Sequence, residues 1–89
     1  MKDDQINALK AKLEAESWPM VYMFKFIIPD DNHKLALVEG LFGAEAVTNI
    51  RKSRNGNYLS VTGKEMMLSA DEVIAKYRKA ATIEGLIAL

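Results

Sequence analysis

The sequence contains no cysteine, and its 89 residues include only one histidine and two prolines. The lack of cysteine excludes disulfide bonds, thiolate nucleophiles and cysteine-ligated metal sites. An excess of one charge is also missing, since twelve basic residues balance twelve acidic ones, and no global field draws the chain to nucleic acid or to an anionic membrane. No apolar run approaches the roughly 20 residues that span a bilayer, and the chain opens on polar residues. We therefore expect a soluble cytoplasmic protein.

Motifs for catalysis and for phosphate binding are absent as well. No serine lies at a catalytic spacing from a histidine or lysine, and neither glycine-rich phosphate-binding pattern occurs. His33 directly follows Asp30, Asp31 and Asn32. Consecutive residues at a helix start do not converge on one point, so this group predicts an exposed, capped helix start instead of a metal site. We expect no catalytic residue, no metal, no cofactor and no enzymatic activity.

Hydrophobic periodicity and turn residues predict seven secondary-structure elements within a single folded domain. In chain order these are a helix over 4–16, a strand over 20–28, a helix over 32–42, strands over 46–54 and 57–67, a helix over 69–81 and a short strand over 86–89. This order predicts an α+β fold of the ferredoxin-like βαββαβ type, with an antiparallel four-stranded sheet and two helices on one face. We expect the first and third strands at the centre. Residues 1–16 are expected to form an N-terminal helical extension of the domain at 17–89.

Capping residues and apolar stripes predict further details of the helices over 32–42 and 69–81. Ser69 and Glu72 predict a capping box, and Gly43 is the expected C-cap of the helix over 32–42. Met66 and Met67 are expected to fill gaps in the core. The predicted stripes are Leu35, Val38, Leu41 and Phe42 in one helix, and Val73, Ile74, Tyr77 and Ala80 in the other.

Strand alternation predicts which side chains face the helices and which face away. Asn55-Gly56 indicates a two-residue type I′ turn, which would place Arg54 opposite Asn57 and Ile50 opposite Val61. The expected core face comprises Tyr22, Phe24, Phe26, Ile28, Ile50, Leu59 and Val61. The expected outer face comprises Met23, Lys25, Ile27, Asn49, Arg51, Ser53, Tyr58, Ser60 and Thr62.

Several segments resemble a known family. They are Trp18-Pro19, the strand Tyr22-Met23-Phe24-Lys25-Phe26, the pattern Ser53-x-x-Gly56-x-Tyr58-x-Ser60-Val61-Thr62, and Glu72-Val73 leading to Tyr77. Together they look like the YbeD-like family of small uncharacterised bacterial proteins, over roughly residues 17–89. The resemblance implies a ferredoxin-like fold similar to the ACT domains that regulate amino-acid enzymes, and a regulatory or binding role without catalytic residues. ACT domains often have glycine in the first strand–helix loop, but residues 28–32 contain none and include two acids, which argues against amino-acid binding.

The outer face of the sheet is the predicted binding surface. Its candidate residues are Met23, Lys25, Ile27, Arg51, Ser53, Arg54, Tyr58 and Ser60. A patch of this kind marks an interaction site unless the N-terminal helix folds over it, and its basic residues could instead serve to protect an edge strand from aggregation. We expect a homodimer or a protein partner and no membrane. The alternatives are single-stranded RNA, which a single aromatic residue disfavours, and a small ligand.

Overall fold

Capping and turn residues set the boundaries of the observed helices and strands. The computed structural model describes residues 2–89. In chain order its elements are α1 (Asp3–Glu14), β1 (Met20–Pro29), α2 (Asn32–Glu39), β2 (Val47–Lys52), β3 (Tyr58–Met67), α3 (Ala70–Ala80) and β4 (Ile87–Ala88). Within this described part, no helix has the length and apolarity needed to cross a bilayer.

The four strands form one antiparallel sheet in the order β2-β3-β1-β4. The α+β class and the antiparallel four-stranded sheet are therefore confirmed. The long strands β1 and β3 hold the central positions, and β2 and β4 lie at the edges, as the sequence indicated.

Local hydrogen bonds explain where α2 and α3 begin and end. Ser69 Oγ accepts a hydrogen bond from the Glu72 amide (3.2 Å), which caps α3 as predicted. The expectation that α2 runs to residue 42 and ends on Gly43 is wrong. The helix ends at Glu39, because the next amides bond to carbonyls three residues back and tighten the chain into turns. Gly43 instead donates its amide hydrogen to Glu65 Oε2 (2.7 Å).

The core lies between the sheet and the helices. Phe24, Phe26 and Ile28 of β1 are fully buried, which confirms the predicted core face of that strand. The predicted stripe of α3 is buried in full, whereas that of α2 is buried only at Val38 and half-buried at its other positions. Of the two methionines expected in the core, Met67 is buried but Met66 is exposed, because adjacent strand residues point to opposite faces.

Helix α1 packs on the helix side of the sheet. Ile6 and Leu13 belong to the same buried cluster as the residues of β1 and α3. Lys10 forms an exposed ion pair with Asp71 at the start of α3 (3.4 Å), and Trp18 Nε1 donates to the Leu13 carbonyl (2.8 Å). The outer face of the sheet is therefore not covered by α1, contrary to one alternative from the sequence.

The β2–β3 hairpin has the predicted register but a different turn. Ile50 faces Val61, and Arg51 faces Ser60, as expected. A type I′ turn needs positive φ at Asn55, but in residues 2–89 only Gly56 (76°) and Gly85 (83°) have positive φ. The Ser53 amide donates to the Tyr58 carbonyl (2.9 Å) and closes a four-residue loop over 54–57, within which the Gly56 amide donates to the Ser53 carbonyl (3.0 Å). A two-residue and a four-residue loop centred on the same position place the same residues of β2 and β3 opposite each other. The side chains therefore lie on the faces of the sheet that the sequence predicted.

Edge strand β2 is exposed along its whole length. Ile50 lies on the helix side of the sheet as predicted, but its side chain remains 41% exposed and does not join the core. The sequence pattern gave its direction correctly and its burial wrongly, because the helices cover the central strands and leave this edge open.

Candidate interaction surface

The outer sheet face is built from rows of side chains that the strand register places side by side. One row joins Val47, Lys64 and Met23 across β2, β3 and β1. The next joins Asn49, Thr62 and Lys25. The third joins Arg51, Ser60, Ile27 and Ile87, and the fourth joins Ser53, Tyr58 and Pro29. We call this surface the outer face; it also includes Val21 and Met66 at one end and Leu89 beside Lys25.

Exposed apolar side chains concentrate on the outer face. In the described part of the chain, ten large hydrophobic side chains are exposed, and seven of them lie here: Val21, Met23, Val47, Tyr58, Met66, Ile87 and Leu89. Met23 is 56% exposed and Val47 is 70% exposed. Scattered apolar residues are ordinary on a protein surface, but a patch gathered on one face is typical of an interaction site.

The charged residues of the outer face are all basic. Lys25, Arg51 and Lys64 are exposed, and none of them forms an ion pair within residues 2–89. Only one of the twelve acidic residues, Glu65, lies in a strand, and its side chain points to the helix side and bonds to Lys76. The net neutrality of the chain therefore hides a local basic surface, which the composition alone could not show.

Two shallow depressions occupy the outer face and share Arg51 and Ser60. The basic depression, of about 450 Å³, is lined by Met23, Lys25, Val47, Asn49, Arg51, Ser60, Thr62 and Lys64. The apolar depression, of about 300 Å³, is lined by Ile27, Arg51, Lys52, Ser53, Tyr58, Leu59 and Ser60. Together they provide adjacent places for an anionic group and for an apolar side chain.

Seven of the eight predicted binding residues line these two depressions. Arg54 is the exception: it lies in the four-residue loop, is exposed, and lines neither of them. Tyr58 faces outward and is 47% exposed, as the prediction required. Lys64 was not among the candidates, although continuing the strand alternation by one more row would have found it. The binding role itself stays a prediction.

The hydrogen bonds of the hairpin loop hold one end of the outer face. Asn55 Oδ1 accepts hydrogen bonds from Ser53 Oγ (2.9 Å) and from the Asn57 amide (3.2 Å). Ser53 Oγ in turn accepts from the Tyr58 amide (3.1 Å). These bonds use the Ser53 hydroxyl to fix the backbone, so its position beside Tyr58 is set before any partner binds.

A second polar group lies on the helix side, where Glu65 and Lys76 form a mostly covered ion pair. Their side chains are 17% and 11% exposed. Burial alone would raise the pKa of Glu65, but the hydrogen bond from Lys76, the bond from the Gly43 amide and the positive charge of Lys76 outweigh it and lower that pKa. The Lys76 ammonium also lies 4.9 Å from the Phe42 ring centroid. All these contacts stabilise the fold, and the pair takes no part in the outer face.

The helix start at His33 is capped and exposed, as predicted. Asp31 Oδ1 accepts from the Lys34 amide (2.9 Å), and this hydrogen bond is the main reason that the pKa of Asp31 is lowered. Asp30 pairs with Lys52 (3.1 Å). Across the described residues, no three side chains of the types that bind metal ions gather at one point.

Comparison with known proteins adds no relative. No protein-family model, curated protein or solved structure matches this chain. Only the outer face itself therefore points to a function.

Proposed function

We propose that this protein is a non-enzymatic interaction or regulatory module of the cytoplasm that binds a protein partner through the outer face and the adjoining edge strands. The observation that carries the proposal is the concentration of exposed apolar side chains on that face, interspersed with three unpaired basic residues. Protein interfaces combine an apolar centre with polar groups that fix the orientation of the partner. The two depressions offer both kinds of contact.

The assignment of a non-enzymatic role is supported by the way in which two serine hydroxyls, those of Ser53 and Ser69, are used. Ser69 Oγ caps α3, and Ser53 Oγ bonds to the hairpin loop. Each hydroxyl thus has a structural partner, and neither is bonded to a histidine or lysine that could act as a base.

We also propose a ferredoxin-like architecture and membership of the YbeD-like family. The strand order and the crossover helices between β1 and β2 and between β3 and β4 support the first proposal. The hairpin residues Ser53, Gly56, Tyr58 and Ser60 support the second. Small-ligand sensing in the manner of an ACT domain receives less support, because Asp30 and Asp31 in the β1–α2 loop are both engaged in structural contacts.

A matched pair of substitutions tests the interaction proposal. Met23→Glu places a charge in the middle of the apolar patch, whereas Leu37→Glu makes the same kind of change at an exposed position on α2. Tagged wild-type and variant proteins are used to capture partners from the cells that make the protein, with quantification by mass spectrometry. We expect Met23→Glu to lose partners that wild type and Leu37→Glu both retain, because a charge in an interface centre must be desolvated.

The result that contradicts the proposal is equally specific. If the captured proteins are the same for wild type and both variants, the outer face is not the binding surface. Circular dichroism of each variant checks that folding is intact, so that a loss of binding can be assigned to the face.

A further inference from the structure

We infer that the occupant of the outer face is an acidic protein segment with an apolar anchor residue, and not a second copy of this chain. This inference rests on the proposed function and names the chemistry of the partner. Its basis is the charge distribution and the two adjoining depressions of different character.

Electrostatics argue against self-association through this face. In a two-fold dimer the same patch lies on both sides of the interface. Lys25, Arg51 and Lys64 of one copy would then meet a surface that carries the same three cations and, among residues 2–89, no acidic side chain. Like charges placed together across an interface cost several kcal/mol and exclude the wrong partner. A partner with carboxylates meets no such cost.

The basic depression is suited to a carboxylate group. Lys25, Arg51 and Lys64 line it from three different strands, and the Asn49 amide with the hydroxyls of Ser60 and Thr62 lies between them. These are hydrogen-bond donors distributed around one concave surface. Charge-assisted hydrogen bonds to a carboxylate are about twice as strong as neutral ones, so an acidic side chain here gains more than a neutral one.

The apolar depression is suited to one large aliphatic or aromatic side chain. Ile27 and Tyr58 supply its outward-facing apolar side chains, and its volume of about 300 Å³ exceeds that of a single side chain. Buried apolar anchors of this kind provide most of the binding energy in protein interfaces. A peptide that filled only the basic depression would leave this anchor site unused.

The register sets the spacing between the two sites. Ser60, in the row shared by the depressions, and Lys64, at the far end of the basic one, are four residues apart on β3. At about 3.3 Å per residue this span is roughly 13 Å, and an extended peptide crosses it in about four residues. We therefore expect one or more acidic residues within about four positions of the apolar anchor.

A single nucleic-acid strand could satisfy the cations through its phosphates, but the outer face suits it poorly. Strands without base pairing bind by stacking successive bases on aromatic rings. Tyr58 is the one aromatic residue among the outer-face residues of β1 to β4, so only one base could stack. The apolar patch of methionine, valine and isoleucine favours a protein partner.

Panning a random 12-residue peptide library on the immobilised protein tests the inference. We expect the selected peptides to contain glutamate or aspartate close to a large apolar residue. The leading peptide, synthesised and labelled, should bind about tenfold more weakly to Lys25→Glu/Lys64→Glu than to wild type, because the reversal replaces attraction by repulsion. The control Lys12→Glu/Lys79→Glu reverses two exposed lysines on α1 and α3 and should change the affinity less than about twofold.

The possible results separate the inference from the proposed function. Selected peptides that lose binding to Met23→Glu but are neutral or basic would overturn the acidic partner and leave the interaction surface standing. The acidic partner is also overturned, and the interaction surface retained, if light scattering shows that wild type is a dimer and Met23→Glu a monomer. The occupant of the outer face is then a second copy of the chain. Both proposals fail if Met23→Glu weakens the binding of no selected peptide. They also fail if single-stranded polyuridine, tested in the same way, is the one ligand whose binding Met23→Glu weakens.

Discussion

At Gly63 the lack of a side chain allows an aromatic ring to lie directly against the sheet. A Cβ atom at this position would stand 2.4 Å from ring atoms of Phe42, far inside contact distance. Phe42 also contacts the rings of Phe24 and Phe26, with centroids 5.9 and 6.2 Å away. The ring thus bridges the turn after α2 and the centre of the sheet, and it can do so only over glycine.

We expect Gly63→Ala to lower the free energy of unfolding by about 1–3 kcal/mol, the usual cost of overpacking a core. The added methyl group must displace Phe42 from the aromatic cluster. Urea denaturation followed by circular dichroism measures the change.

Gly40→Ala is the matched control for this substitution. Gly40 caps α2 with φ of −67°, and a Cβ there would lie 3.4 Å from its nearest neighbour, the Ala36 carbonyl oxygen. An alanine in this conformation reduces the freedom of the unfolded chain, so we expect a small gain of stability, about 0.4–1 kcal/mol. Equal losses for the two variants would show that the Phe42 contact is not the cause.

The Glu65–Lys76 pair makes stability depend on pH. Since the pKa of Glu65 is lowered in the folded protein, the unfolded state binds a proton more readily than the folded state. The resulting stabilisation is complete above the ordinary glutamate value of 4.5 and is lost as pH falls through the lower folded pKa. We expect Glu65→Gln to be less stable than wild type at pH 7 and to lose less stability between pH 5 and pH 3. Urea midpoints over this range measure the slope, and parallel curves would contradict the role of Glu65.

At the scale of the element, the hairpin loop is stabilised by side-chain bonds that mimic backbone turns. Asn55 Oδ1 accepts two hydrogen bonds within the loop, while Gly56 supplies the single positive φ. In a type I′ turn, by contrast, Asn55 would itself need positive φ. The two turns therefore respond differently to substitution at residue 55.

We expect Asn55→Asp to leave stability within about 0.5 kcal/mol of wild type, because the carboxylate oxygen keeps both acceptor contacts. Asn55→Gly should cost about 1 kcal/mol, because it removes these contacts and adds freedom to the unfolded chain. Urea denaturation of the two variants measures the difference. If glycine is tolerated as well as aspartate, a type I′ turn is the better description.

This loop also shows how far the sequence predicts an element. The register followed from apolar alternation, since Leu59 and Val61 must face the helices. The turn type did not follow, because Asn-Gly suits both turns and the pattern does not show the hydrogen bonds that the Ser53 hydroxyl makes in the observed loop. The role of Gly43 was missed for a similar reason: it is not the C-cap of α2, and its amide bonds to Glu65, a position far away in the chain. Local patterns do not contain such long-range contacts.

At the scale of the whole molecule, the sequence predicted the outer face but not its character. The residues facing outward followed from strand alternation and were placed correctly. The same alternation turns Glu65 to the helix side, but the ion pairs that Glu65 forms with Lys76 and Asp30 with Lys52 join residues far apart in the chain and could not be predicted. The course of α1 was also open, since its narrow apolar stripe could have packed on either side of the sheet. Packing on α3 leaves the outer face free for a partner.

The packing of α1 suggests that it unfolds together with the sheet and not as a separate extension. Leu13 is only 4% exposed and lies in the central buried cluster. We expect Leu13→Ala to lower the free energy of unfolding of the whole protein by about 2–5 kcal/mol in a single transition, because removing a buried side chain leaves a cavity shared by all the packed elements. Lys12→Ala, at the exposed neighbouring position, should change it by less than about 0.5 kcal/mol. Far-ultraviolet circular dichroism and tryptophan fluorescence of Trp18 should report the same urea midpoint. If the variant instead unfolds in two steps, with the sheet as stable as in wild type, α1 is an independent arm and its side of the molecule is not part of the common core.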